Sequence, residues 1–164
     1  MAAPLDEVWA FHSRIEGLEA LTPSFMNLRV HGVERPNADE SADDESPKVN
    51  DSDGSESVLD AGTRVELSIR PFGVGPRQHW ETEIVERERD DDAAYFVDEM
   101  NGGPFPYWRH AHRFFGVDGE TIIVDEVTYA LPGGPVGDAV SPLAVVGFEP
   151  MFRDRHRRTK QLLE

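Results

Sequence analysis

The stretch GPFPYWRHAHRFF, residues 103–115, sets two histidines two apart, between a tryptophan and a phenylalanine. In an extended chain alternate residues share a face. Trp108, His110, His112 and Phe114 therefore point one way, and Tyr107, Arg109, Ala111 and Arg113 the other. Arginine prefers water, so the histidine face turns inward. The stretch reads as a half-buried strand carrying titratable side chains on its inner surface.

Its neighbours repeat the pattern. RVELSI places Val65, Leu67 and Ile69 together, HWETEIVE does the same for Trp80, Thr82 and Ile84, and YFVDEM and TIIVDEVTYAL continue it. The breaks RDDD, NGGPFP and VDGE carry turn chemistry. The expectation is a meander of antiparallel strands joined by short turns.

Helices are expected at both ends. Pro4 suits a first turn, and Asp6 and Glu7 favour a helix N-terminus. Val8, Phe11, Ile15, Leu18 and Leu21 recur at spacings of three and four, with Trp9 beside the stripe. Gly17 is expected to divide this segment into two short helices, and Thr22-Pro23 to stop the second. FMNLRVHGV then alternates as a strand. After PGGPVGD the remainder reads as helical, with Ser141 as cap and Pro142 in the first turn. Val140, Ala144, Phe148, Met151 and Phe152 form its expected buried stripe, and Pro150 is expected to kink or split it.

The 164 residues suffice for one domain, spanning 1–164. Hydrophobic content is 38% and the formal net charge is -16. Nine of the acids lie between Glu34 and Ser57, against only Arg35 and Lys48. That segment has no periodicity and reads as a disordered acidic loop, 34–57, inserted between two strands. Within it, NDSDGSE alternates Asp51, Asp53 and Ser55 around Gly54, yet lacks the glycine position and terminal glutamate of an EF-hand.

Lys48 and Lys160 are the only lysines, against fourteen arginines. An acidic, lysine-poor surface fits a halophile's cytoplasm, where molar salt screens self-repulsion. With no cysteine, disulfides, zinc–thiolate sites and thiol catalysis are excluded. No apolar run approaches the ~20 residues of a membrane span, and no basic-then-apolar leader is seen. The acidity argues against nucleic acid as a partner, since phosphate binding needs a basic field.

The stretches VWAFHSRIEGLEALTP, AGTRVELSIRPFG, HWETEI, FVDEMNGGPFPYWRHAHRF, VDEVTYALPGGPVG and MFRDRH, in this order, resemble the SRPBCC superfamily. This is the group of START-like, birch-pollen-allergen-like and polyketide cyclase-like domains, and the resemblance is nearest to its small prokaryotic ligand-binding branch. It implies an α+β helix-grip fold: a curved antiparallel sheet around a long C-terminal helix, with two short N-terminal helices. It also implies a hydrophobic cavity between sheet and helix. Members bind lipids, sterols, quinones or polyketides, and a minority catalyse cyclisation or dehydration. One departure is clear, because the family's first strand is missing before MAAPLDEVW. Its loss would leave unpaired sheet edges, and an N-terminally extended native chain is expected.

On this reading Trp80, Phe96, Met100, Phe105, Trp108, His110, His112, Phe114, Tyr129, Phe148 and Phe152 are the candidate ligand-binding walls. The same aromatics at these spacings also suit a plain core. For His110 and His112 three roles stay open: hydrogen-bonded pocket fixtures, acid–base groups, or metal ligands. Asp98, Glu99, Asp125 and Tyr129 are the available partners. As metal ligands the pair needs a third donor, from Asp98, Glu99 or Asp125; no metal or cofactor is assigned. RDRHRRTK reads as cations complementing a helix C-terminus, with docking against an acidic segment or partner as the alternative. The leading function is carriage of a hydrophobic small molecule. The alternatives are a cyclase or dehydratase using His110 or His112 with Asp98, Glu99 or Asp125, and an accessory domain for a redox or sugar-nucleotide enzyme.

Overall fold

A computed structural model describes the backbone of residues 1–36 and 58–164, and their side chains except at 138, 140 and 142–147. Most of the acidic loop, including the NDSDGSE stretch, lies outside the described residues, as do the side chains of Val140 and Ala144.

Six strands form one antiparallel sheet in chain order: β1 (Arg29–Glu34), β2 (Arg64–Ile69), β3 (Gln78–Arg89), β4 (Ala93–Gly102), β5 (Tyr107–Val117) and β6 (Glu120–Ala130). This is the expected meander. The β5–β6 hairpin closes on Asp118-Gly119, with φ of 52° and 81°. Two successive residues at positive φ make the turn whose twist matches a hairpin, and Asp-Gly is the sequence that tolerates it. Register slips between Val30 and Gly32 and between Ile84 and Glu86. Such bulges bend their strands, and the sheet curves.

The concave face carries the core. Val65, Leu67, Ile84, Phe96 and Phe114 are buried there against Leu5, Val8 and Trp9. Trp9 contributes more than a flank: its ring packs on Phe96 and Phe114 at 6.0 and 5.7 Å. It belongs to α1 (Leu5–His12), which is followed by α2 (Ile15–Leu21).

The break between these two helices falls at Ser13–Arg14, before Gly17. There Ser13 carbonyl accepts from Leu59 N–H at 2.8 Å and Arg14 bridges to Val58. Gly17 sits inside α2 for a different reason. A Cβ built on it would lie 2.0 Å from the Phe11 carbonyl oxygen, so only glycine permits this close turn.

The long helix α3 (Pro135–Leu163) begins seven residues earlier than Ser141-Pro142 suggests. Gly134 is its cap and Pro135 its first residue, where a missing N–H costs nothing. The helix continues through Pro150 without being split. The Tyr129 hydroxyl donates to Ser141 carbonyl at 2.7 Å, fastening the first half of the helix to β6.

No strand precedes α1 among the described residues. Nevertheless Met1 exchanges both backbone hydrogen bonds with Thr121, at 2.8 and 3.0 Å, and the Thr121 hydroxyl donates to Ala3 carbonyl at 2.8 Å. The start of β6 is therefore paired where a bare edge was expected.

Candidate functional site

Between the concave sheet and α3 lies a cavity of about 430 Å³. Trp80, Phe96, Met100, Phe105, Trp108 and Phe148 line it. His110 and His112 line it as well, joined by Asp98. Three other candidates lie elsewhere. Phe114 is fully buried in the core below, against Trp9 and His12. Tyr129 and Phe152 stand behind the lining, on Phe148 and His110 respectively.

The strand registers explain the polar floor. His112 pairs across to Phe96 on β4 and to Asp125 on β6, while His110 pairs to Asp98 and Val127. Each flanking strand thus presents one aspartate to the two rings, whose centroids are 3.7 Å apart. His110 Nε2 bonds Asp125 Oδ1 at 2.9 Å, and His112 Nε2 bonds Asp98 Oδ2 at 3.0 Å. The remaining ring nitrogens are less well served. His110 Nδ1 is 3.7 Å from Asp98 Oδ2, beyond hydrogen-bond reach. His112 Nδ1 lies 2.9 Å from Asp125 Oδ1 but is aimed badly, and makes no hydrogen bond.

Glu99, the other candidate on β4, points to the convex face and pairs with Arg109 at 2.7 Å. The signal was available: Asp98 sits two residues from both Phe96 and Met100, so it shares their inward face.

The helices add groups that the sequence reading did not place here. His156 on α3 bonds Asp125 Oδ2. Arg155 lines the cavity, with its Nε buried and without a partner among the described residues. His12 of α1 lines it too, facing the Thr159 hydroxyl at 3.5 Å. The RDRHRRTK cations are therefore not one solvated cap. Arg157 and Arg158 pair with Asp154, and Arg153 with Glu149, while Arg155 and His156 turn to the sheet. The helical period carried the signal: Arg155 and His156 follow Phe148, Met151 and Phe152 at spacings of three, four and seven, on the face that the buried stripe turns to the sheet.

Charge is unevenly distributed among these groups. Burial opposes the charge on Asp125, but hydrogen bonds from His110 and His156 and the adjacent His112 ring outweigh that and hold its carboxyl well below the usual range. Asp98 behaves likewise: burial is outweighed by the hydrogen bond from His112 and the nearby cations. Burial pushes His110 down to about 4, helped by the neighbouring His112 and resisted by Asp125. His12 is pushed down to about 2, by burial first and then by Arg155. Arg155 is also lowered by burial, against the pull of Asp125 and Asp98.

At one end of the cavity, Met26 and Pro71 line the wall. Their chain neighbours Phe25 and Phe72 stack outside at 4.9 Å, 44% and 75% exposed. Phe72 holds φ at 55°, an unfavourable conformation for an aromatic residue.

No helix among the described residues is long and apolar enough to cross a membrane. No curated protein and no solved structure matches the chain significantly. The family model described as "Polyketide cyclase / dehydrase and lipid transport" matches residues 1–157. With a six-stranded curved sheet, a C-terminal helix and two short N-terminal helices in the matching arrangement, the chain belongs to this polyketide cyclase, dehydrase and lipid-transport family.

Proposed function

We propose that the protein binds and carries a small apolar molecule with a polar, electron-rich end. The observation that carries this reading is the cavity itself. Its volume falls within the roughly 300–1,000 Å³ of small-molecule sites, and its walls are mostly apolar with a few converging polar groups. Each 100 Å² of apolar ligand surface taken from water contributes about 2.5 kcal/mol. Arg155 supports the polar end: a guanidinium facing the cavity, with a buried unpartnered Nε, is suited to a carboxylate, phenolate or enolate oxygen.

A second reading, proton transfer of the cyclase or dehydratase kind, is favoured by one specific observation. His110 and Asp98 both line the cavity, and His110 is oriented by Asp125 at 2.9 Å. A base held by a second carboxylate is the arrangement that general acid–base chemistry uses.

The test is to purify the protein from its host in molar potassium chloride, extract it with organic solvent and identify what co-purifies by mass spectrometry. A stoichiometric apolar species, absent from a control protein treated alike, is expected. An empty extract, with no binding of an apolar reporter dye to the cavity, removes the carrier reading.

A further inference from the structure

We propose that Asp98, His110 and His112 form a binding site for one divalent transition-metal ion at the floor of the cavity, with Asp125 as the carboxylate that orients His110 from behind. One donor atom from each of the three residues lies within 4.8 Å of the others. Metal–nitrogen and metal–oxygen bonds of ~2.0–2.2 Å place tetrahedral neighbours roughly 3.4 Å apart. The separations from Asp98 Oδ2, 3.7 Å to His110 Nδ1 and 3.0 Å to His112 Nε2, bracket that edge. Side-chain adjustments of a few tenths of an ångström suffice.

The strongest argument is an accounting of the ring nitrogens. Both rings stand between the same two buried carboxylates, and all four nitrogens lie within 3.7 Å of an aspartate oxygen. If every nitrogen carried a proton, two imidazolium rings would stack at 3.7 Å and repel each other. If both rings are neutral and donate through Nε2, His112 Nδ1 is left buried without a hydrogen-bond partner and His110 Nδ1 stands 3.7 Å from Asp98 Oδ2, too far to be satisfied by it. A cation between Asp98 and the two rings takes the lone pairs of His110 Nδ1 and His112 Nε2, neutralises the carboxylate, and leaves His112 Nδ1 to carry a proton toward Asp125.

The opposite edge of His110 already has the carboxylate partner that a metal-bound histidine requires. His110 Nε2–H donates to Asp125 Oδ1 at 2.9 Å, and His112 Nδ1 lies equally close to the same oxygen, needing only a ring rotation to donate to it. A ligating histidine whose other nitrogen is fixed by a carboxylate is the recurring arrangement at protein metal sites.

Donor chemistry sets the ion's class. Two imidazoles and one carboxylate, without thiolate, suit zinc, iron(II) or cobalt(II), and leave coordination positions open. Because all three ligands line the cavity, the open positions face whatever occupies it. The other titratable groups turned to the cluster are Arg155 and His156 from α3 and His12 from α1. Arg155 leaves the site less than doubly negative, which favours a single divalent ion.

The test uses full-length protein stripped with chelator in molar potassium chloride and titrated with Co²⁺ alone. One ion per chain is expected, with visible absorption bands of bound cobalt that Zn²⁺ abolishes by displacement. Asp98→Asn, which keeps shape but removes the anionic ligand, is expected to weaken binding about 100-fold or more, with near-ultraviolet circular dichroism checking its fold. A His31→Ala/His79→Ala variant, which removes a separate stacked pair 5.3 Å apart, is expected to bind cobalt unchanged.

Should Asp98→Asn fail to fold, ring-nitrogen NMR of the unaltered protein with Zn²⁺ decides the matter, through shifts at His110 Nδ1 and His112 Nε2. Cobalt affinity that is unaltered in folded Asp98→Asn overturns the site. So does the absence of ring shifts at millimolar zinc, which would leave protons as the counter-charge. These readouts are independent of any extracted ligand, so failure of the metal site and failure of the carrier reading are told apart.

Discussion

His110 and His112 hold their rings 3.7 Å apart between two aspartates, Asp98 and Asp125, each from a different flanking strand. Asp125 bonds His110 and His156 and stands 2.9 Å from His112 Nδ1, and its side chain is only 5% exposed. Asp125→Asn removes the charge while keeping the shape. Taking one partner from a buried ionic cluster typically costs about 3–5 kcal/mol. Urea unfolding in constant salt is expected to show a loss in that range. A change below about 1 kcal/mol would mean that the cluster contributes little to the fold.

His12 gives a clean pH dependence. Burial lowers its pKa from 6.5 to about 2, so the folded chain refuses a proton that the unfolded chain accepts. The histidine's contribution is complete above pH 6.5 and is lost as pH falls toward the folded value. Each unit below 6.5 costs about 1.4 kcal/mol. Between pH 6.5 and 4.5, His12→Leu is expected to lose stability less steeply than the parent, by about one proton's worth of slope. Parallel curves would show that the ring is protonated in the folded state.

Gly17→Ala separates two forces that oppose each other. Helix propensity alone predicts a gain of up to about 1 kcal/mol. The new Cβ, 2.0 Å from Phe11 carbonyl oxygen, must instead push α2 away from α1. Overpacking of this kind costs roughly 1–3 kcal/mol, so a lower thermal midpoint is expected. A higher midpoint would show that the junction relaxes freely.

Filling the cavity tests its use. Ile69 lines it near the end of β2, and Ile69→Trp adds bulk at that wall. Binding of an apolar fluorescent dye is expected to weaken about tenfold or more while the fold persists. Undiminished dye affinity would place the dye outside the cavity.

The net charge of -16 predicts a salt response. Raising potassium chloride shortens the screening length from about 10 Å at 0.1 M to about 3 Å at 1 M. Self-repulsion should fade and the thermal midpoint should rise. A midpoint that is flat or falling across that range would remove the case for adaptation to molar salt.

The sequence by itself determined the strands, their order and their inner faces, because alternation is a local property. Trp80, Thr82 and Ile84 face in together, as do Trp108, His110 and His112, since an antiparallel meander leaves each strand one interior side. The Asp118-Gly119 turn was legible for the same reason: its backbone angles are set by the two residues themselves. Tertiary structure alone decided which distant groups complete the floor. Arg155 and His156 continue the helical stripe of Phe148, Met151 and Phe152, but the strand groups they meet are far away in sequence, as His12 meets Thr159 across 147 residues. Local spacing gives the inward face of α3, but which groups meet across it depends on the path of α3 over the sheet, which the sum of many packing contacts sets.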